Sequence, residues 1–206
     1  LDFSVTSNGT ATASVTLVKA VNTTLVITAT GINVNGPSDI SVSPAAVADY
    51  VLSGYPTSHT TNELFNLTIT PKDAYGNVTG SDGKTLTIST KAPSEGGTPA
   101  GAERTLVGGS NVGPLTGATT ISNLKYTGVG YVDLYVEDSG APAVHSDVNA
   151  TADVYFEATT VVGSITIELW DGSAWSAAAQ NVRAGDGIQV RARLLDANNN
   201  PVKTGQ

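Results

Sequence analysis

Cysteine and methionine are both missing from the 206 residues. Without cysteine there is no disulfide framework, no thiolate zinc site and no cysteine nucleophile. The lack of both sulfur residues fits a prokaryotic exterior, where oxidation-prone side chains serve no purpose. Charge is also sparse, at 14% of residues, and the ten Lys and Arg are scattered under a formal net charge of −8. Phosphate recognition needs clustered cations, so DNA and RNA are excluded as partners. No apolar run has the length of a membrane span. With Leu1 first there is neither an initiator methionine nor a signal peptide, so a mature or trimmed fragment is expected. Histidines number two, His59 and His145, each in polar sequence that reads as solvated loop. There is no G-x-S-x-G elbow, P-loop or dinucleotide fingerprint. "GGSNVG" leads into no helix and reads as loop.

What the chain does have is alternation. "NELFNLTIT" puts Phe65, Leu67 and Ile69 on one face and Asn66, Thr68 and Thr70 on the other, the pattern of a half-buried strand. "KTLTIST", "ISNLKYTG", "GYVDLYVED", "ATADVYFEAT", "GSITIELW" and "GIQVRARLLD" read the same way. The nearest approach to a helix is "SPAAVADYV", and Pro44 with its β-like neighbours weakens it. Many short strands between Gly, Pro, Asn and Asp turns predict an all-β antiparallel sandwich.

The chain also repeats itself. "FNLTITPKDAYGNVTG" aligns with "IQVRARLLDANNNPVKTG": Asp73 falls on Asp196, Asn77 on Asn200, Phe65 on Ile188 and Leu67 on Val190. A second echo links "VTLVKAVNTTLVITATG" with "TTISNLKYTGVGYVDLYVEDSG", and "SDISVSP" with "ATADVYF". The two echoes differ in phase. Residues 1–43 therefore read as the second half of a unit, 44–158 as a whole unit and 159–206 as the first half of another. Residues 91–119, rich in Gly, Pro and Ser, form a long inserted loop in the central unit. It is the place to look for a neighbouring subunit, or else a tolerated surface insertion.

Alternating apolar residues followed by Asp-Ala-Tyr-Gly-Asn-Val at 73–78, and again by Asp-Ala-Asn-Asn-Asn-Pro-Val at 196–202, resemble bacterial and archaeal immunoglobulin-like repeats of the invasin and intimin type. In the second copy Asn199 replaces the glycine. The resemblance covers nearly the whole chain. It implies tandem immunoglobulin-like β-sandwich domains in a surface-layer, stalk, fibre or adhesin protein. Fold alone does not give function.

Asp73 carries the choice of chemistry. As turn architecture, its carboxylate accepts backbone N–H groups two or three residues on, while Gly76 and Asn77 tolerate positive φ. This is the favoured reading for Asp73 and Asp196. The alternative is calcium, held by Asp73, Asn77 and Asp82, with Asp196 and Asn200 in the second copy. Hard cations want six to eight oxygens, so carboxylates such as Glu137 or Asp138 would have to join. A catalytic acid is the remaining alternative. Trp170 and Trp175 flank Asp171-Gly172, a hairpin signal. They staple that hairpin or pack on a neighbour; as the alternative they form a platform for sugar rings. Asn8, Asn22, Asn66, Asn77 and Asn149 each begin an Asn-x-Thr triplet, a glycosylation signal that an Asn- and Thr-rich chain also produces by chance.

The expectation is thus a non-catalytic, self-assembling structural protein of a prokaryotic cell surface, with copies of itself as partner. The alternatives are an adhesin that binds glycans or host ligands, and an accessory domain of a larger secreted enzyme.

Overall fold

Alternating runs become strands throughout the computed structural model, which describes residues 4–5, 11–26, 39–92, 104–147 and 153–202. In chain order the strands are β1 (Ser4–Val5), β2 (Ala11–Thr12), β3 (Asn22–Thr24), β4 (Asp39–Ser41), β5 (Val47–Ser53), β6 (Ser58–Thr60), β7 (Leu64–Asp73), β8 (Leu86–Lys91), β9 (Thr119–Lys125), β10 (Gly130–Asp138), β11 (Val154–Glu157), β12 (Ser164–Trp170), β13 (Trp175–Ser176) and β14 (Val190–Leu195). There is no helix among the described residues, and "SPAAVADYV" leads into β5.

The central strands form two sheets, ordered β5-β7-β9 and β6-β11-β10-β8. Every pairing is antiparallel except β6 with β11, which runs parallel. That one pair departs from the antiparallel expectation. The strand "SHT" follows a crossover from the first sheet and so enters the second alongside its last strand.

The inward positions of β7 (Phe65, Leu67, Ile69) meet those of β8 (Leu86, Ile88), β10 (Val132, Leu134, Val136) and β11 (Val154, Phe156) in one core. Phe65 and Phe156 join the two sheets with ring centroids 5.6 Å apart, and Tyr126 lies 4.6 Å from Phe156. A polar contact is buried at one end. Tyr50 donates its hydroxyl to Asp138 at 3.0 Å, and Lys84 reaches the same oxygen at 3.3 Å. Burial and the Asp138 carboxylate push the Tyr50 hydroxyl far up. Burial also opposes the charge on Asp138, but the N–H groups of Val144 and Gly140, with Tyr50 and Lys84, hold it low.

The inserted segment is more than a surface loop where it is described. Leu106 and Leu115 are buried in the core. Isolated bridges tie it to both sheets, Leu86 to Val112 and Ser89 to Thr105 on β8, and Val107 to Lys125 on β9. It crosses between two sheet edges that would otherwise be open, which suppresses edge-to-edge pairing. Its first part, 93–103, lies outside the described residues.

Smaller sheets flank the central pair. β3 pairs with β4 on the N-terminal side and β1 with β2; on the C-terminal side the order is β13-β12-β14. In these sheets Ile165, Ile167 and Val190 are exposed, as are Val15, Leu17, Leu25 and Ile188 in the segments beside them.

Candidate functional site

Asp73 ends β7, and its carboxylate is filled by four donors. Oδ1 accepts the N–H groups of Tyr75 and Asn77, each at 2.9 Å. Oδ2 accepts the Asn77 side chain at 2.9 Å and the Ala45 N–H at 3.0 Å. Gly76 takes a φ of 80°, which closes the turn. Burial works against ionisation here. The donors, led by the Asn77 side chain, outweigh it and set the carboxyl at about 2, below its ordinary 3.8.

The same turn recurs 123 positions later (196 − 73). Asp196 Oδ1 accepts the N–H groups of Asn198 at 2.8 Å and Asn200 at 2.9 Å, and Oδ2 accepts the Asn200 side chain at 3.0 Å. Asn199 stands in the place of Gly76 with a φ of 65°, a left-handed conformation that asparagine tolerates. The backbone follows suit. Asp73 N–H donates to the Asn77 carbonyl and Thr79 N–H to that of Pro71; Asp196 N–H donates to Asn200 and Val202 N–H to Leu194. Burial opposes the charge on Asp196 too, and Asn200 with its neighbours holds it below the usual carboxylate range.

Each turn also grips the segment before it. The Asn77 side chain accepts the Ala20 N–H at 2.9 Å and donates to the Val18 carbonyl at 2.7 Å. One amide thereby makes both bonds that a β-bridge would make. The Asn200 side chain donates to the Thr127 carbonyl at 2.6 Å. Asn62, at a φ of 69°, adds a bond to Asp196 at 3.2 Å and accepts one from Asn198. Thus Asp shapes the turn, and Asn fastens it to an earlier segment of the chain.

The two fastened segments are equivalent. Val18 lies four residues before Asn22, which stands opposite Ser41; Thr127 lies four before Tyr131, which stands opposite Tyr155. On this register Val15, Leu17 and Leu25 occupy the places of Leu124, Tyr126 and Leu134. The C-terminal sheet obeys the other register. Ile165 stands opposite Leu194 as Tyr50 stands opposite Pro71. The chain therefore carries two copies of one joint, each between an asparagine turn and an earlier segment of the chain.

No family model matches the chain, and no curated protein or solved structure matches it. The site is read from its own geometry.

The remaining candidates are dispersed. Asp82 accepts the Val47 N–H at 3.0 Å, two residues beyond the Ala45 N–H that Asp73 accepts, so the two carboxylates together hold the entry to β5. Asp138 is committed to Tyr50 and Lys84, and Glu137 bridges through its backbone to His145. Among the described residues no three acidic or histidine side chains are grouped to hold a metal. The Asn77 amide donates to the Val18 carbonyl and to Asp73 Oδ2. Asn22 and Asn66 are exposed, while Asn8 and Asn149 lie outside the described residues.

Trp170 and Trp175 face each other across the predicted hairpin, 5.5 Å between ring centroids. Arg191 lies over the Trp175 ring at 4.6 Å and pairs with Glu168 at 2.6 Å. The guanidinium stacks on one face of the Trp175 ring. Of the histidines, His59 is not a solvated loop residue. It lies half-buried in β6, edge-on to Phe65 and Phe156. His145 is exposed and stacks on Tyr135. An open hollow of about 180 Å³ is lined by Asp49, Tyr55, Asp147 and Asp153. Asp153 is already taken by the Tyr55 hydroxyl at 2.7 Å and the Leu134 N–H at 3.0 Å. Burial, then that bond, pushes Tyr55 up to about 12.

Sequence reasoning found Asp73, Asn77, Asp196 and Asn200 but missed Val18, Ala20, Asn62 and Thr127. Three of these four take part through backbone groups, which leave no mark on residue type. Asn62 had one readable signal, an asparagine directly before a strand.

Proposed function

We propose that the protein is a non-catalytic structural component of a prokaryotic cell exterior, built from tandem immunoglobulin-like sandwich units that assemble with copies of the same chain. The observation that carries this reading is the duplicated joint. Its carboxylates, Asp73 and Asp196, shape the turns, and its asparagines, Asn77 and Asn200, fasten each turn to an earlier segment. Strand order supports the unit's identity. An immunoglobulin sandwich places its strands A, B and E in one sheet and C, F and G in the other. Here β5-β7-β9 and β8-β10-β11 fall in that order, with β6 parallel to the last strand. Buried Tyr126, just before β10, sits where such sandwiches keep a corner tyrosine. Rows of units with nearest-neighbour contacts give length and stiffness, and they need no reactive group.

The test has two arms. Incubation with peptides, esters and polysaccharides gives no turnover, and electron microscopy of the source surface shows a sheet or a fibre. Turnover that disappears in His59→Ala or His145→Ala overturns the reading.

A further inference from the structure

Leu64, Asn66 and Thr68 share one face of β7, the face turned away from the core that Phe65 and Leu67 enter. Together they carry what N-linked glycosylation requires: an amide nitrogen, a hydroxyl two residues on, and Leu67 rather than proline between them. Asn66 is exposed, and among the described residues no hydrogen bond engages its side-chain amide. The ladder is broken at this point. Phe65 stands opposite Leu124 and Leu67 opposite Ile121, so Ser122 and Asn123 together face Asn66. Asn123 takes a φ of 62°, and both it and Ser122 are exposed. A bulge of this kind leaves a residue unpaired and increases the local twist.

Leu64 is the apolar exception on this face. It is 60% exposed, while the Thr68 hydroxyl meets that of Thr120 at 2.9 Å. At about 3.4 Å per residue, Leu64 stands about 7 Å from Asn66 along the strand, within reach of one sugar ring.

We propose that Asn66 is an N-glycosylation site, and that the first sugar of its glycan lies over Leu64. The inference rests on the exterior location proposed above, since such glycans are added to exported chains. Asn66 Nδ2 forms a bond to the anomeric carbon of a lipid-phosphate-linked oligosaccharide donor. The bond from that carbon to the phosphate oxygen breaks, the phosphate leaves with the electron pair, and one Nδ2 proton passes to a base of the transferase. A glycosylated amide keeps one N–H. Asn66 thereby gives up no hydrogen bond among the described residues. Asn77 would give up one of its two donations, to Val18 or to Asp73, and it is expected to stay bare.

Peptide mapping of the protein purified from its own cells tests the site without any variant. Trypsin cuts after Lys19, Lys72 and Lys84, so Asn22 and Asn66 fall in the peptide 20–72 and Asn77 in 73–84. The expected result is a sugar mass on 20–72, placed on Asn66 by electron-transfer fragmentation, and none on 73–84. In Asn66→Gln from the same cells that sugar is expected to be lost. A bare Asn66, or sugar on Asn77, overturns the assignment. Melting gives the second reading. Asn66→Gln is expected to lower the melting temperature of the native-source protein, and to lower it less when both chains carry Leu64→Ser. Equal drops in the two backgrounds overturn the contact with Leu64. Fractionation of the same cells keeps the two readings apart. A bare Asn66 in surface-located protein overturns this inference alone, whereas a cytoplasmic protein overturns the exterior reading with it.

Discussion

Four hydrogen-bond donors set the chemistry of Asp73. Its carboxyl titrates at about 2 in the folded chain against an ordinary 3.8. A depressed carboxyl contributes stability that is present above its unfolded value and lost as pH falls through the folded one. The melting temperature of Asp73→Ala is therefore expected to lie several degrees below wild type at neutral pH. The gap should hold down to about pH 4 and close toward about pH 2. Thermal melts across that range check it, and chelator should leave both curves unmoved. Asn77 makes a sharper case, because it both donates and accepts. Asn77→Asp keeps an acceptor for Ala20 but loses both donations and sets a second carboxylate against Asp73. At neutral pH it is expected to melt below Asn77→Ala, since like charges at hydrogen-bond distance repel. By about pH 3 a proton shared between the two carboxyls removes most of that difference. At this scale the sequence was informative. The Asp-x-x-x-Asn spacing, read twice, named the turn residues, because turn chemistry is local. Their partners were hidden, because Val18 and Thr127 contribute a carbonyl that any residue possesses.

Among the elements, alternation made β7, β8, β10 and β12 readable, since a half-buried strand writes its two faces into the sequence. The inserted segment was unreadable for the same reason. It has no period, and its glycines and prolines describe a loop, yet Leu106 and Leu115 enter the core. Leu106→Ala is expected to cost roughly 2–5 kcal/mol, as for any buried leucine truncated to a cavity. Val107→Ala next to it, at an exposed position, should fall within about 0.5 kcal/mol of wild type. Urea denaturation of the two variants decides whether this stretch is core or insertion; equal, small effects would make it insertion. The hairpin at Trp170 and Trp175 was foreseen from Asp171-Gly172. Arg191 over the indole was not, because it arrives from a strand that pairs by register rather than by nearness in sequence.

For the whole molecule, the offset echoes pointed to a repeat, and the structure adds hydrogen bonds by which each of the two turns holds an earlier segment. Asn77 and Asn200 each reach backward to the segment before, so every turn is both the end of a strand and the start of a joint. The sequence placed Ile188 and Val190 on an inward face, and in the structure both are about half exposed, at 49% and 53%. Hydrogen exchange at the Ala20 amide, in wild type and in Asn77→Ala, tests the joint most directly. The account predicts a protected Ala20 amide in wild type. Its protection should be lost in Asn77→Ala, while the Ile88 and Leu134 amides in the core stay protected. An Ala20 amide that exchanges at the free-peptide rate in wild type, or that keeps its protection in Asn77→Ala, would contradict it.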